Sequence, residues 1–308
     1  MNLLLTGAWQ DAACQIPALE AMGCRAVLLR QESDPLPCDP EWVEGTVCNG
    51  LFLHHPIGGF PRLRYVQLTS AGTDRVDMDA IRRKAIVLRT ARGVYSLPMA
   101  EFALSGVLQL YKQAEFFRAN QQARRWEKHR GLRELSGSRV LILGCGSVGR
   151  AVAERFSAMG CRVTGADLDP APRPGFEAVY PVSGLDRLLP EQDVVILTLP
   201  LTDGTRGILN EARLGLMKPD AIVVNIARGP VVDQAALTAA LMSGRLGGAV
   251  LDVFEQEPLP QSSPLWSLPG VLLTPHNSFV GNGNAARLTG TVLDNLRAYL
   301  TAEKQKML

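Results

Sequence analysis

Short apolar runs alternate with amphipathic stretches along most of the chain. In the first hundred residues the runs are 3–5, 26–29, 65–68 and 86–88, with helix-like segments at 12–22 and 77–84 between them. Gly23 stands where a helix ending at residue 22 needs a left-handed residue. A second series begins after residue 138, where 139–143, 162–166, 193–199, 221–226, 249–253 and 271–274 are rich in Val, Ile and Leu. Near-continuous apolar runs suit strands of a parallel sheet covered on both faces. The strand–helix alternation therefore predicts two doubly wound α/β units. Between the two series, residues 98–122 predict one long helix with Pro98 in its first turn.

The length, 308 residues, suits two domains. With 46% hydrophobic and 20% charged residues the chain is not disordered. Lys and Arg number 32 against 30 Asp and Glu, a balance that attracts neither nucleic acid nor an anionic membrane surface. One local exception is basic: Arg124, Arg125, Lys128, Arg130 and Arg133, interleaved with Trp126 and His129. Nothing else is basic enough to build a groove, so this stretch reads as a solvated connector or an arm packed on a partner subunit. No segment approaches the roughly 18 apolar residues of a membrane span. Residues 1–7 lack a basic flank and read as a first strand, not a signal peptide. Cys14, Cys24, Cys38, Cys48, Cys145 and Cys161 are scattered without a Cys-x-x-Cys pair. That spacing argues against a disulfide scaffold and against a metal site, and points to the reducing cytoplasm.

Chemistry enters at Gly144-Cys145-Gly146-Ser147-Val148-Gly149, which follows the run 139–143 and opens a helix at about 150–159. A Gly-x-Gly-x-x-Gly is weak evidence alone, but strand, turn, helix and second strand are the context a dinucleotide site requires. Gly144 permits the turn, and Gly146 lets the backbone approach a pyrophosphate at the amides of Ser147 and Val148. Gly149 lets helix and strand pack closely. The second strand ends at Asp167, eighteen residues beyond Gly149, where an acid bonds a ribose diol. With Asp169 nearby, a 2′-phosphate is repelled, so NAD is favoured over NADP; Arg173 dissents unless it faces water.

Three later strands each lead into a polar residue: Arg228 after 221–226, Glu257 after 249–253, and His276 after 271–274. Ligands of open α/β sheets sit beyond the carboxyl ends of the strands. An arginine there binds a carboxylate at two points. A histidine exchanges a proton with an alcohol oxygen near neutral pH, and a carboxylate behind it fixes its orientation. Residue types alone leave Glu255 and Glu257 competing for that last place.

These stretches, with Ser70-Ala71-Gly72-Thr73-Asp74, Asn225-Ile226-Ala227-Arg228-Gly229, Leu251-Asp252-Val253-Phe254-Glu255-Gln256-Glu257-Pro258 and Thr274-Pro275-His276, resemble the D-isomer-specific 2-hydroxyacid dehydrogenase family over nearly the whole chain. The resemblance implies a Rossmann NAD-binding domain, 98–279, inserted into a flavodoxin-like substrate domain, 1–97 plus 280–308. The last helix of the substrate domain would come from 292–300. It implies NAD-dependent interconversion of a small 2-keto acid and the D-2-hydroxy acid. His276 would be the acid/base and Glu257 its partner, and Arg228 with the amides of Ala71 and Gly72 would hold the substrate. Asp252 would meet the nicotinamide carboxamide, with Leu199, Ile226, Ala227 and Ser278 completing the cofactor contacts. A homodimer with a closing cleft is expected.

Some residues depart from the family pattern. Where phosphoglycerate-acting members carry an arginine, this chain has His54-His55-Pro56, which reads equally well as an ordinary loop and disfavours that substrate. Tyr95 suits packing better than substrate contact. A regulatory C-terminal domain is not expected. A non-enzymatic, NAD-sensing corepressor-like protein would share the fold and triad, although such proteins carry disordered tails that are not seen here. The formate-oxidising branch pairs its histidine with glutamine, in place of Glu257.

Overall fold

The computed structural model describes residues 1–306. The strands are β1 (Asn2–Thr6), β2 (Arg25–Leu29), β3 (Gly45–Cys48), β4 (Tyr65–Leu68), β5 (Val87–Arg89), β6 (Arg139–Leu143), β7 (Arg162–Asp167), β8 (Ala178–Pro181), β9 (Val194–Leu197), β10 (Ile222–Asn225), β11 (Gly248–Leu251) and β12 (Val271–Leu273). The helices are α1 (Ala12–Ala21), α2 (Met78–Arg83), α3 (Ser96–Tyr111), α4 (Ala114–Gln122), α5 (Ser147–Ala158), α6 (Leu185–Leu188), α7 (Glu211–Leu216), α8 (Gln234–Met242) and α9 (Asn284–Lys306).

The chain divides into two compact units, Met1–Tyr95 with Gly281–Leu308, and Ser96–Val280. The first unit holds a five-stranded parallel sheet in the order β2-β1-β3-β4-β5, the flavodoxin-like order. The second holds a seven-stranded parallel sheet in the order β12-β11-β10-β9-β6-β7-β8, a Rossmann order with one added strand. Both sheets are the doubly wound kind expected from the apolar runs.

In the first unit, Leu3, Leu5, Val47 and Tyr65 pack under Leu288, Val292, Leu296 and Tyr299 of α9. The apolar residues of α9 recur every three or four positions, as a helix stripe must. That helix is longer than the 292–300 expected, because its first two turns are held by other means: Arg287 donates to the carbonyl of Val94 at 2.8 Å. In the second unit, Ala100, Ala103, Val107 and Tyr111 of α3 lie on one face against Val140, Ile142, Val224 and Val250. The approach is tight, since a Cβ at Gly106 would stand 2.6 Å from Val250 Cγ1.

The structure departs from the sequence reading at three places. The segment 98–122 is not one helix, because Gln113 adopts φ +51° between α3 and α4. A left-handed residue closes one helix and turns the chain, and nothing in the side chain of glutamine announces it. Strand β3 escaped notice because Gly45 and Thr46 interrupt its apolar pattern; Thr46 hides its hydroxyl by donating to the carbonyl of Leu4. Strand β8 escaped because it is a half-exposed edge strand ending in Pro181.

Asp193, just ahead of β9, ties three segments together. It accepts from the amide of Arg139 at 2.7 Å and from Lys218 Nζ at 2.8 Å. Burial raises its pKa, but the Lys218 bond and the Arg139 amide outweigh it, so the carboxyl titrates below its ordinary value. A carboxyl with a depressed folded pKa contributes stability above its unfolded value and loses it as pH falls through the folded one. Asp193→Asn should therefore cost about 1–3 kcal/mol at pH 7. Urea melts should show parent and variant converging below pH ~3.8; a gap that stays constant down to pH 2 would remove the charge from this account.

Candidate active site

All the predicted groups of the second unit lie at the carboxyl ends of its parallel strands. Gly144 follows β6, Asp167 ends β7, Leu199 lies two residues past β9, and Arg228 follows β10. Glu257 and His276 follow β11 and β12. The topological reversal falls between β6 and β9, where an open sheet leaves a crevice for a ligand.

Gly144 adopts φ +92°, and a Cβ there would lie 2.8 Å from the backbone of Leu199. A Cβ at Gly149 would lie 2.0 Å from the carbonyl oxygen of Gly144, so α5 sits directly on the turn. Nothing stands within 4 Å of the Cβ position of Gly146, and no side chain caps α5. By contrast α2, α7 and α8 are capped by Asp77, Asn210 and Asp233. The opening is shaped for a group that brings its own anionic oxygens to the first amides of α5, which begins at Ser147 and not at 150. The residues thus fit a dinucleotide pyrophosphate.

Asp167 Oδ2 accepts from the amide of Cys145 at 2.6 Å and Oδ1 from that of Asp169 at 3.1 Å. Arg173 does not face water. Its Nη1 donates to the carbonyl of Cys145 at 2.6 Å, and its Nη2 reaches Asp169 Oδ2 at 3.0 Å. Arg173 and Asp167 thus brace the glycine-rich turn from opposite polarities, a pairing that the sequence offered no periodicity to reveal. The Cys145 thiol inside the turn is pushed up to about 12 by burial, with the Asp167 charge adding to it, and is inert.

His276 Nδ1 and Glu257 Oε2 are 2.9 Å apart. The other oxygen of Glu257 accepts from the amide of Phe254, which fixes the carboxylate. Glu255 is used elsewhere: it accepts from the amide of Gln234 at the start of α8. With Nδ1 turned to the carboxylate, Nε2 is the ring nitrogen left to exchange a proton. Both side chains are about two-fifths exposed, so the pair is reachable.

Asp252 is fully buried, and its oxygens accept from the Thr274 hydroxyl, the Asn277 amide at 2.7 Å and the Ser278 amide at 2.9 Å. Its own carbonyl accepts from the amide of His276 at 2.8 Å. These bonds hold His276 at φ +52°, a conformation a non-glycine residue adopts only when its surroundings impose it. The partners of Asp252 in this structure are therefore the residues of the loop that carries the histidine. Ser278 is buried with it, 3% exposed.

Asn225 shapes the turn before Arg228. Its amide nitrogen donates to the carbonyl of Arg228 at 3.0 Å and its oxygen accepts from Ala227 at 3.1 Å. Arg228 is half-buried, and Ile226 and Ala227 are buried. A Cβ at Gly229 would fall 1.9 Å from the backbone of Phe254, so the arginine loop lies against the loop leading to Glu257. Asn225 and the bracing of Asp252 were missed as functional positions. The available signal was a polar residue ending a buried strand, which is costly unless it is bonded.

Ala71 and Gly72 lie in the loop after β4 of the first unit, where the Ser70 hydroxyl donates to the carbonyl of Gly72 at 2.8 Å. Tyr95 donates to the carbonyl of Thr69, just ahead of that loop, while its ring packs among the core residues around α9. His55 pairs through Nε2 with the carbonyl of Asp34, as an ordinary loop residue does.

Residues 104–278 match the model of the D-isomer-specific 2-hydroxyacid dehydrogenase NAD-binding domain, more than half of the chain. The chain belongs to the D-isomer-specific 2-hydroxyacid dehydrogenase family. With that membership comes the reaction class, a nicotinamide-dependent oxidoreductase of 2-hydroxy and 2-keto acids. This dehydrogenase family member is 35% identical over 243 residues to an (S)-sulfolactate dehydrogenase of Chromohalobacter salexigens, covering 78% of this chain and 79% of that one. It is 34% identical to a glyoxylate reductase of Thermofilum pendens, covering 79% and 74%. Among solved structures, a family member from Xanthobacter autotrophicus, in complex with NADPH and MES, superposes with a TM-score of 0.81 at 30% identity. That match covers 98% of this chain and 95% of the other.

Proposed function

We propose that this dehydrogenase reduces a small 2-keto acid to the D-2-hydroxy acid with NADH, and that His276, Glu257 and Arg228 carry the reaction. The observation behind it is the 2.9 Å His276–Glu257 pair, held at a sheet end beside the arginine loop and in line with a glycine-rich turn shaped for a dinucleotide. Bound nicotinamide would supply the hydride. His276 Nε2 gives its proton to the carbonyl oxygen as that oxygen becomes an alcohol, and Glu257 keeps Nδ1–H turned away and balances the imidazolium. Arg228 grips the carboxylate and, through it, orients the keto group. In the first unit, the proposed contribution of Ala71 and Gly72 is a pair of backbone amides for a substrate carboxylate. The carboxylate of Asp167, fixed at the end of β7, favours NAD over NADP by repelling a 2′-phosphate, and Arg173 does not offset it because its guanidinium is engaged by the Cys145 carbonyl and Asp169. A screen of glyoxylate, hydroxypyruvate, pyruvate and phenylpyruvate with NADH and NADPH tests both parts. Turnover with none of them would sink the enzymatic reading, and equal or better turnover with NADPH would sink the cofactor preference.

Arg228 has its own test. Arg228→Lys keeps the charge but loses the planar two-point contact. It should raise KM for the keto acid by about tenfold or more, the effect of roughly 1.4 kcal/mol, while the Kd for NADH stays within about twofold. Equal loss of both affinities would make Arg228 a structural or cofactor residue.

The assembly proposed is a homodimer through the segment after α4. Trp126 there is 99% exposed, and Phe117 and Leu132 are also open to solvent. Phe117 and Trp126 line one groove, and exposed large apolar groups side by side mark an interaction surface. Sedimentation should give twice the 33.4 kDa chain mass, and Trp126→Asp should shift it toward one chain; a monomeric parent would end this reading.

A further inference from the structure

In the first unit, one carboxylate occupies a cradle made for an anion. The loop after β3 presents two consecutive backbone amides to Glu32: Asn49 N lies 2.6 Å from Oε1 and Gly50 N lies 2.6 Å from Oε2. A third donor, the hydroxyl of Thr6 at the end of β1, reaches Oε1 at 2.8 Å. Glu32 itself comes from the loop after β2. Three donors from two strand ends thus converge on both oxygens of a single side chain. Successive amides aimed at one point form an anion-binding concavity, and bonds of this charged kind are short and strong.

The cradle stands one strand away from the loop proposed to hold the substrate carboxylate. Strands β3 and β4 are neighbours, and the amide of Thr69 donates to the carbonyl of Cys48 at 2.9 Å. The loops that follow them, 49–50 and 69–72, therefore leave the same sheet end side by side. The stem of Arg75 packs beside the same loop, its Cδ 3.9 Å from the point where a Gly50 Cβ would stand.

We propose that Thr6, Asn49 and Gly50 form an oxyanion site that the chain fills with its own Glu32. We also propose that Glu32 thereby selects against keto acids with a second anionic group, whether carboxylate, phosphate or sulfonate. A free anion reaching this place meets a carboxylate already seated on the donors it needs. The selectivity half rests on the reading that the Ser70–Gly72 loop binds substrate; the cradle half does not.

Glu32→Ala empties the cradle, and the probes are sodium acetate and sodium sulfate against sodium chloride at matched ionic strength. The variant should melt below the parent, and acetate or sulfate should restore its Tm along a saturable curve, over and above the gradual, non-saturating rise that the same salts give the parent. Glu32→Gln keeps the cradle filled while losing the charge, so it should be destabilised without being rescued. A Glu32→Ala protein that folds only with acetate or sulfate present is the same rescue. A variant that responds to these anions no more than the parent, or does not fold even with them, overturns the cradle. For selectivity, the ratio of kcat/KM for oxaloacetate to that for glyoxylate should rise at least tenfold in Glu32→Ala. Rescue with an unchanged ratio overturns the selectivity half. A parent inactive toward every keto acid is instead a failure of the proposed reaction, and the melting result stands apart from it.

Discussion

His276→Ala should lose about 10²–10⁴-fold in kcat, the usual contribution of a positioned acid/base, and still bind NADH. The loss is confined to chemistry because the ring meets Glu257 and Phe279, while the glycine-rich turn is built by β6, β7 and α5. Stopped-flow reduction and quenching of protein fluorescence by NADH read the two quantities separately. If turnover falls by less than tenfold, another group moves the proton. If NADH binding falls in step with turnover, the loop from Thr274 to Ser278 has collapsed, and the variant reports on folding through Asp252 instead.

The other large effect is expected at Gly149. An alanine there would put a methyl group 2.0 Å from the carbonyl oxygen of Gly144 and 3.0 Å from Thr198 Oγ1. The Thr198 hydroxyl already donates to that carbonyl at 2.6 Å, so the turn cannot give without breaking a bond. Overpacking of this kind costs about 1–3 kcal/mol. Because the displaced atoms are the turn itself, dinucleotide affinity should fall by about tenfold or more, the effect of roughly 1.4 kcal/mol. Calorimetric titration with NADH checks it. An alanine variant with parental affinity would show that the turn is not where the pyrophosphate sits.

The strands were legible wherever burial on both faces demanded unbroken Val, Ile and Leu, as in β6, β9 and β10. They were illegible where another device replaced that demand, such as the Thr46 hydroxyl bond in β3 or the half-exposed edge of β8. Helix ends marked by glycine or aspartate, at Gly23 and Asp77, could be read from residue type. The break at Gln113 could not, because glutamine has neither the missing Cβ of glycine nor the short polar side chain of asparagine that marks a left-handed turn residue. At the candidate site, Arg228, Glu257 and His276 were visible as polar residues after apolar strands. Residue types alone left Glu255 and Glu257 tied. The structure separates them because Glu255 serves the first turn of α8 while Glu257 faces the imidazole. The supporting bonds of Asp252 and Arg173 join positions 26 and 28 residues apart, and no periodicity of one strand or helix encodes such a distance.

The candidate groups of the second unit cluster at the carboxyl ends of the strands and on the loops that leave them, beyond the apolar body of the sheet. Such an arrangement is modular. A loop can lengthen, shorten or exchange its polar residue, and its neighbours keep their footing because the register of β6 to β12 is set below them. New substrates are then reached by altering one loop at a time. The exceptions are loops tied to one another: the backbones that meet at Gly229 and Phe254, Asp252 bonded to the loop of His276, and Asp167 bonded to the glycine-rich turn oblige each pair to change together.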